Sequence, residues 1–298
     1  MGCSIMYYRR KILLAVVEVF GGRLKRTDFQ KLLFLFCQYT GQNFYDFFPY
    51  KYGGFSFLSY QDKSRLVSQG LLSQDEDFEF IADVSFVEQL KSKDQIALKT
   101  FVAETNGLRG NPLIRKTYLE FPAYACQSTI LSEILSDDEI ASMQLLWQRD
   151  TSPCLFTIGY EGKSIDAYLN QLIANNVKAL VDVRKNPLSM KYGFSKTRLR
   201  NYIESVGLQY YHLPELGIPS NLRRNLNLPD AYRDLFEYYR TKILPDQRES
   251  LEDVKILLSK HTRIALTCFE KEHHCCHRNQ VTEYLKKSAD FSTRVSHL

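Results

Sequence analysis

The stretch CLFTIGYEGKSIDAYLNQLIANNVKALVDVR, Cys154 to Arg184, decides the architecture of this chain. CLFTIGY is a short apolar, β-rich run, EGKS a turn, IDAYLNQLIANN an amphipathic helical segment and KALVDVR a second apolar run. A strand, a helix and a strand within about 30 residues is the unit from which parallel sheets are built, because the helix must carry the chain back to the same edge. The pattern continues downstream. SKTRLRNYIESV reads as a helix, QYYHLPELG as a third extended run, residues 230 to 258 as a helical region, RIALTCF as a fourth strand and HRNQVTEYLKK as its following helix. Residues 151–298 are therefore expected to form an α/β domain with a mostly parallel sheet.

Upstream the periodicity is different. RRKILLAVVEVF (9–20) and TDFQKLLFLFCQY (27–39) carry apolar residues at helical spacing, separated by Gly21-Gly22, with Thr27 or Asp28 placed to cap the second. Pro49 and Gly53-Gly54 interrupt the chain before a third amphipathic segment at 56–69, and LLSQDEDFEFIADV reads as a hairpin with an acidic tip. Three helices and a two-stranded wing are the order of a winged helix-turn-helix. Lys63 and Arg65 on the third helix favour DNA binding. Asp62, and Asp75, Glu76, Asp77 and Glu79 in the wing, favour protein interaction or packing instead. Residues 85–150 read as further helices, one starting at Ser136 with acidic residues in its first turn. The polar RDTSP at 149–153 marks the boundary, giving a mainly helical domain of residues 1–150. Its FQKLLFL helix and YKYGGFSF turn loosely resemble Panacea-type antitoxin-like domains over about seventy residues.

With 298 residues the chain has room for two domains of ordinary size. No apolar run approaches the roughly 18 residues that a membrane-spanning helix needs. The N-terminal MGCSIM fits a myristoylation pattern poorly, and the apolar run after it carries Glu18 and lacks a cleavage site, so no membrane association is expected. Seven irregularly spaced cysteines point to reduced thiols and a cytoplasmic protein. The formal charge is +5, and between Arg184 and Arg224 eight basic residues face two acidic ones. That excess favours an anionic partner.

Ligands of such sheets bind at the carboxyl ends of the strands. Those ends present Gly159, Tyr160 and Glu161, then Asp182 and Arg184, then His212, and finally Cys268 and Glu270. Gly159 permits close backbone approach, the Asp182 carboxylate can aim the Arg184 guanidinium, and His212 can move protons. The segment TCFEKEHHCCHRNQ (267–280) leaves three chemistries open. As a helix start it offers an anion site at His277 and Arg278, with Glu270 as acid or base. The same field lowers a thiol pKa and makes Cys276 a candidate nucleophile. Zinc is the lesser alternative, since no CxxC is present; its ligands would be Cys268, Cys275, Cys276 and His277. Otherwise no cofactor is expected.

These strand ends resemble the family known as domain of unknown function 488. TIG (157–159), DVRKNPLS (182–189), YYHLPELG (210–217) and CFEKEHHCCHR (268–278) match its pattern in order and spacing. The resemblance implies an α/β domain with one pocket at that edge, and it names no activity. Ile218 stands where the family pattern has a second glycine.

The expected function is an enzyme acting on nucleic acid or a nucleotide, hydrolytic or base-directed. Glu270, Asp182, His212 and Cys276 are its candidate catalytic residues, and Gly159, Tyr160, Arg184, Ser189, His277 and Arg278 bind the anion. Lys185, Lys191, Lys196, Arg198 and Arg200, interleaved with Tyr192, Phe194 and Tyr202, follow a phosphate backbone. The alternatives are a DNA-associated regulator sensing a small anion and a cysteine-based redox sensor. A partner protein would use the N-terminal domain.

Overall fold

The computed structural model describes residues 6–105, 107–223 and 231–298, which leaves the N-terminal MGCSI and Arg224 outside it. The chain divides into two compact units, Met1–Gln148 and Arg149–Leu298.

The first unit is mainly helical with small antiparallel strand pairs. Its order is α1 (Tyr8–Val19), β1 (Arg23–Leu24), α2 (Arg26–Thr40), β2 (Phe48–Tyr50), β3 (Gly53–Phe55), α3 (Phe57–Ser68), β4 (Phe78–Glu79), α4 (Ser92–Thr105), α5 (Gly110–Glu120), α6 (Leu131–Ile134) and α7 (Asp137–Leu146). β2 and β3 form a tight hairpin, and β1 pairs with β4. The Leu72–Phe80 bridge adds the expected hairpin around the acidic tip. A core of Leu13, Val17, Phe29, Leu33, Phe36 and Phe78 draws α1, α2 and β4 together.

Capping follows the sequence at one helix and departs from it at another. Ser136 and Glu139 form a reciprocal capping box at α7. At α2 neither Thr27 nor Asp28 caps the helix; Lys25 stands there without a side-chain bond. Asp28 instead accepts a hydrogen bond from the Gly110 amide at 2.7 Å, joining α2 to the start of α5.

The second unit runs β5 (Cys154–Gly159), α8 (Ile165–Ala174), β6 (Ala179–Asp182), α9 (Lys196–Ser205), β7 (Gln209–His212), α10 (Ala231–Tyr238), α11 (Arg248–His261), β8 (Arg263–Cys268), α12 (His277–Lys286) and β9 (Arg294–His297). Its five strands are all parallel, in the order β7-β6-β8-β5-β9. Four of them are the strands expected. β9 is additional: its RVSH sequence is short and polar, and as an edge strand it is only partly buried.

Strand alternation sorts side chains onto two faces. Val181 and Val183 from β6 and its end, with Ile264 and Leu266 from β8, pack with Val254, Leu258, Val281 and Leu285 of α11 and α12. The intervening positions point the other way, where the Tyr168 hydroxyl of α8 donates to Thr267 Oγ1 at 2.7 Å.

Candidate functional site

On the α8 face, Asp182 is fully buried and saturated. Its Oδ1 accepts from the Arg184 amide (3.1 Å) and Nε (2.8 Å), and its Oδ2 accepts from Arg184 Nη2 (2.6 Å) and the Tyr210 hydroxyl (2.7 Å). Arg184 spends both Nη1 protons on the Tyr160 hydroxyl and the Phe194 carbonyl, which leaves one Nη2 proton uncommitted. Burial alone would lower the guanidinium pKa, but the Asp182 carboxylate raises it overall, so Arg184 stays charged. The same surroundings push the Tyr210 hydroxyl up, burial first and Asp182 next. Asp182 therefore aims Arg184, as expected of the pair, and has no lone pair left for the base role. His212 is similarly engaged: Lys196 Nζ lies 2.8 Å from Nδ1 and the Arg184 carbonyl 2.9 Å from Nε2. Lysine donates only, so Nδ1 accepts and Nε2 carries the proton. Both ring nitrogens hold the loop after β6 rather than a substrate.

Gly159, Glu270 and Arg278 form a second unit, which revises two expected anion contacts. A Cβ on Gly159 would lie 1.7 Å from the Glu270 carbonyl oxygen, so glycine is what lets the loop after β8 cross β5. Arg278 fastens that crossing from inside. It is fully buried, and its Nη1 and Nη2 donate to the Glu270 (2.5 Å) and Lys271 (2.9 Å) carbonyls. Its Nε is buried without a hydrogen-bond partner. These two residues position Glu270 and present no edge to a ligand. A Cβ on Gly217 would likewise lie 2.2 Å from the Lys185 amide nitrogen. Gly217 therefore supplies the close approach, and Ile218 is buried with ordinary backbone.

The opposite face carries the cysteines. Cys268, at the end of β8, meets Cys276 and His277 at the start of α12. His277 Nδ1 lies 3.5 Å from Cys268 Sγ and 3.9 Å from Cys276 Sγ, and its Nε2 lies 2.9 Å from the Val183 carbonyl. Cys275 is exposed and outside the group. The expected lowering of the Cys276 pKa is reversed: burial and the neighbouring Cys268 push the thiol well up. Cys276 is thus an interior thiol, and the His277 ring faces it.

Between these clusters a cleft of about 310 Å³ opens at the carboxyl edge. Tyr160, Arg184, Lys185, Ser189, Cys268 and Glu270 are among its lining residues. Tyr160 stacks on Phe194 at 4.4 Å and meets the ring of Phe269 edge-on at 5.3 Å. Leu188 is 76% and Met190 104% exposed at the same cleft. Ser189 Oγ accepts from the Lys191 amide, and Lys191 Nζ donates to the Tyr160 carbonyl at 2.8 Å. Lys185, Arg198 and Arg200 remain exposed. Arg198 lies over the Tyr192 ring and Arg200 over the Tyr210 ring, at 5.8 and 5.3 Å.

Residues 164–285 match the model of domain of unknown function DUF488. The C-terminal part of the chain carries a DUF488 domain. The match spans α8 to α12, so the TIG segment precedes it and the N-terminal unit lies outside it. No curated protein and no solved structure matches the chain.

Within the DUF488 domain, sequence reasoning brought the right strand ends to one edge but did not divide them between the two faces. It quoted Tyr210 and Gly217 as pattern residues without giving either a role, and it assigned none to Phe269. Tyr210 was within reach, since it lies two residues before His212 on β7 and so shares its face.

Proposed function

We propose that the DUF488 domain binds a nucleotide or a nucleotide unit of nucleic acid in the carboxyl-edge cleft and carries out proton-transfer chemistry on it through Glu270. The supporting observation is what the cleft brings together. Lys185 and the remaining Nη2 proton of Arg184 suit a phosphate. Phe269, Leu188 and Met190 offer the apolar surface on which a base rests. Of the four residues expected to move protons or attack, Glu270 alone lines the cleft. Arg198 and Arg200, both exposed, extend the positive surface for a longer strand.

The test pairs binding with turnover in the full chain. Labelled nucleoside monophosphates and short single-stranded oligonucleotides are expected to bind in a salt-sensitive manner and to bind several-fold more weakly to Lys185→Ala. Glu270→Gln is expected to retain binding and lose any base or strand product detected by mass spectrometry. Unaltered binding by Lys185→Ala would remove the phosphate from this cleft, and product formation by Glu270→Gln would remove Glu270 from the chemistry.

A further inference from the structure

The Cys268, Cys276 and His277 group takes no part in that reading, yet its geometry is specific. Two thiols and an imidazole are buried together, with their donor atoms all within 4.8 Å of one another. Zinc sits about 2.3 Å from sulfur and about 2.0 Å from histidine nitrogen, which at tetrahedral angles separates neighbouring ligand atoms by roughly 3.5 to 3.8 Å. The observed separations from Nδ1, 3.5 and 3.9 Å, fit an ion with little backbone movement.

We propose that Cys268 Sγ, Cys276 Sγ and His277 Nδ1 bind a thiophilic divalent ion of the zinc class, with the fourth position supplied from the cleft. Three further features support it. The Val183 carbonyl takes the Nε2 proton of His277, which fixes the tautomer and leaves the Nδ1 lone pair facing the thiols, as the outer partners of metal-bound histidines do. Cys276 immediately precedes α12 and His277 is its first residue, so one helix start carries two of the three donors. Cys268 belongs both to this group and to the cleft wall, where an added water or ligand atom reaches the ion. Two cysteines and a histidine with one open position is a catalytic rather than a purely structural zinc set. Binding releases the two thiol protons to solvent and leaves the buried group neutral, two thiolates balancing one dication.

The short zinc-ligand spacing absent from the sequence is not needed here. Residue 268 ends a strand and residues 276 and 277 begin the next helix, so the βα loop brings together ligands that lie eight and nine positions apart. The inference is independent of the nucleotide reading, because an ion binds this group whether or not a nucleotide enters the cleft.

The experiment is a titration of the reduced, chelator-stripped full chain with Co²⁺. One equivalent is expected to produce the intense near-ultraviolet band of thiolate-to-cobalt charge transfer and the visible bands of four-coordinate cobalt, both displaced by Zn²⁺. Cys268→Ser and Cys276→Ser are expected to weaken binding by more than the roughly 10- to 100-fold that loss of an outer partner costs. Cys275→Ser is expected to bind as the parent does. Absence of the thiolate band, or a band that Cys268→Ser and Cys276→Ser leave unchanged, would overturn the site. Should those variants fail to fold, zinc-edge X-ray absorption of the unsubstituted protein decides: two sulfur scatterers with imidazole support it, and a spectrum without sulfur refutes it.

Discussion

The third helix of the first unit and the α9 region of the second place their cations differently. Of the two basic residues that the third helix offers to DNA, Lys63 is turned inward while Arg65 stays exposed. Lys63, on the third helix, is buried, and its Nζ donates to the Asp75, Glu76 and Asp77 carbonyls at 2.6 to 2.7 Å, so it holds the acidic tip in place. Asp62, expected to favour protein interaction or packing over DNA, is fully buried between Arg9 and Arg10, both at 2.6 Å. Arg26 pairs with Glu76 at 2.9 Å. In the DUF488 domain Lys185 is exposed at the cleft, and Arg198 and Arg200 are exposed on α9. The difference teaches that a count of lysine and arginine says little until the fold shows which of the charges are buried or paired.

The contrast can be broken most severely at its anchoring carboxylates. Asp182→Ala leaves Arg184 charged in the interior and is expected to cost about 3 to 5 kcal/mol in denaturant unfolding. Asp62→Ala is expected to cost less, about 2 kcal/mol, because Arg9 and Arg10 are partly exposed and can turn toward water. Equal costs would mean that the two networks are not distinguished by burial of the arginine.

Lys63→Ala removes three charge-assisted bonds and is expected to cost about 2 kcal/mol, to make the 74–78 tip sensitive to limited proteolysis and to leave nucleic-acid binding unchanged. A loss of binding without a change in stability would reverse the assignment of this lysine.

Lys31 sharpens the same contrast through pH. It is fully buried, donates to the Gly54 carbonyl at 3.0 Å, and burial lowers its pKa to about 7. Between about pH 7 and the ordinary lysine value near 10.4 the unfolded chain holds a proton that the folded chain does not, so stability contributed by this group rises with pH across that window. The melting temperature of the first unit is expected to climb from pH 7 to pH 9.5 and to lose that slope in Lys31→Met. A slope that persists in the variant would assign it to another group.

How much of this was legible follows from what each inference needed. Alternating apolar runs and helices gave four of the five strands, because burial on both faces leaves a nearly continuous apolar signature in β5, β6 and β8. β9 escaped because an edge strand can be polar. Gly159 and Glu270 were visible as strand-end residues, but their shared reason, one carbonyl crossing where a side chain would collide, exists only in three dimensions. The direction of the Cys276 pKa was misjudged because the sequence gives a helix start but not its burial. Lys63 shows the same limit, since composition counts charges without saying where their hydrogen bonds go.

The smallest effect on stability carries the largest consequence for function. Replacing Lys185, Arg198 and Arg200 together by serine is expected to change stability by no more than about 0.5 kcal/mol per site, as exposed positions do. The most direct test is therefore the salt dependence of single-stranded oligonucleotide binding by the full chain, compared between this triple variant and Lys63→Ala. The account predicts that the triple variant binds at least about tenfold more weakly with a shallower salt slope, while Lys63→Ala follows the parent chain. Unchanged binding by the triple variant, or loss in Lys63→Ala alone, would contradict it.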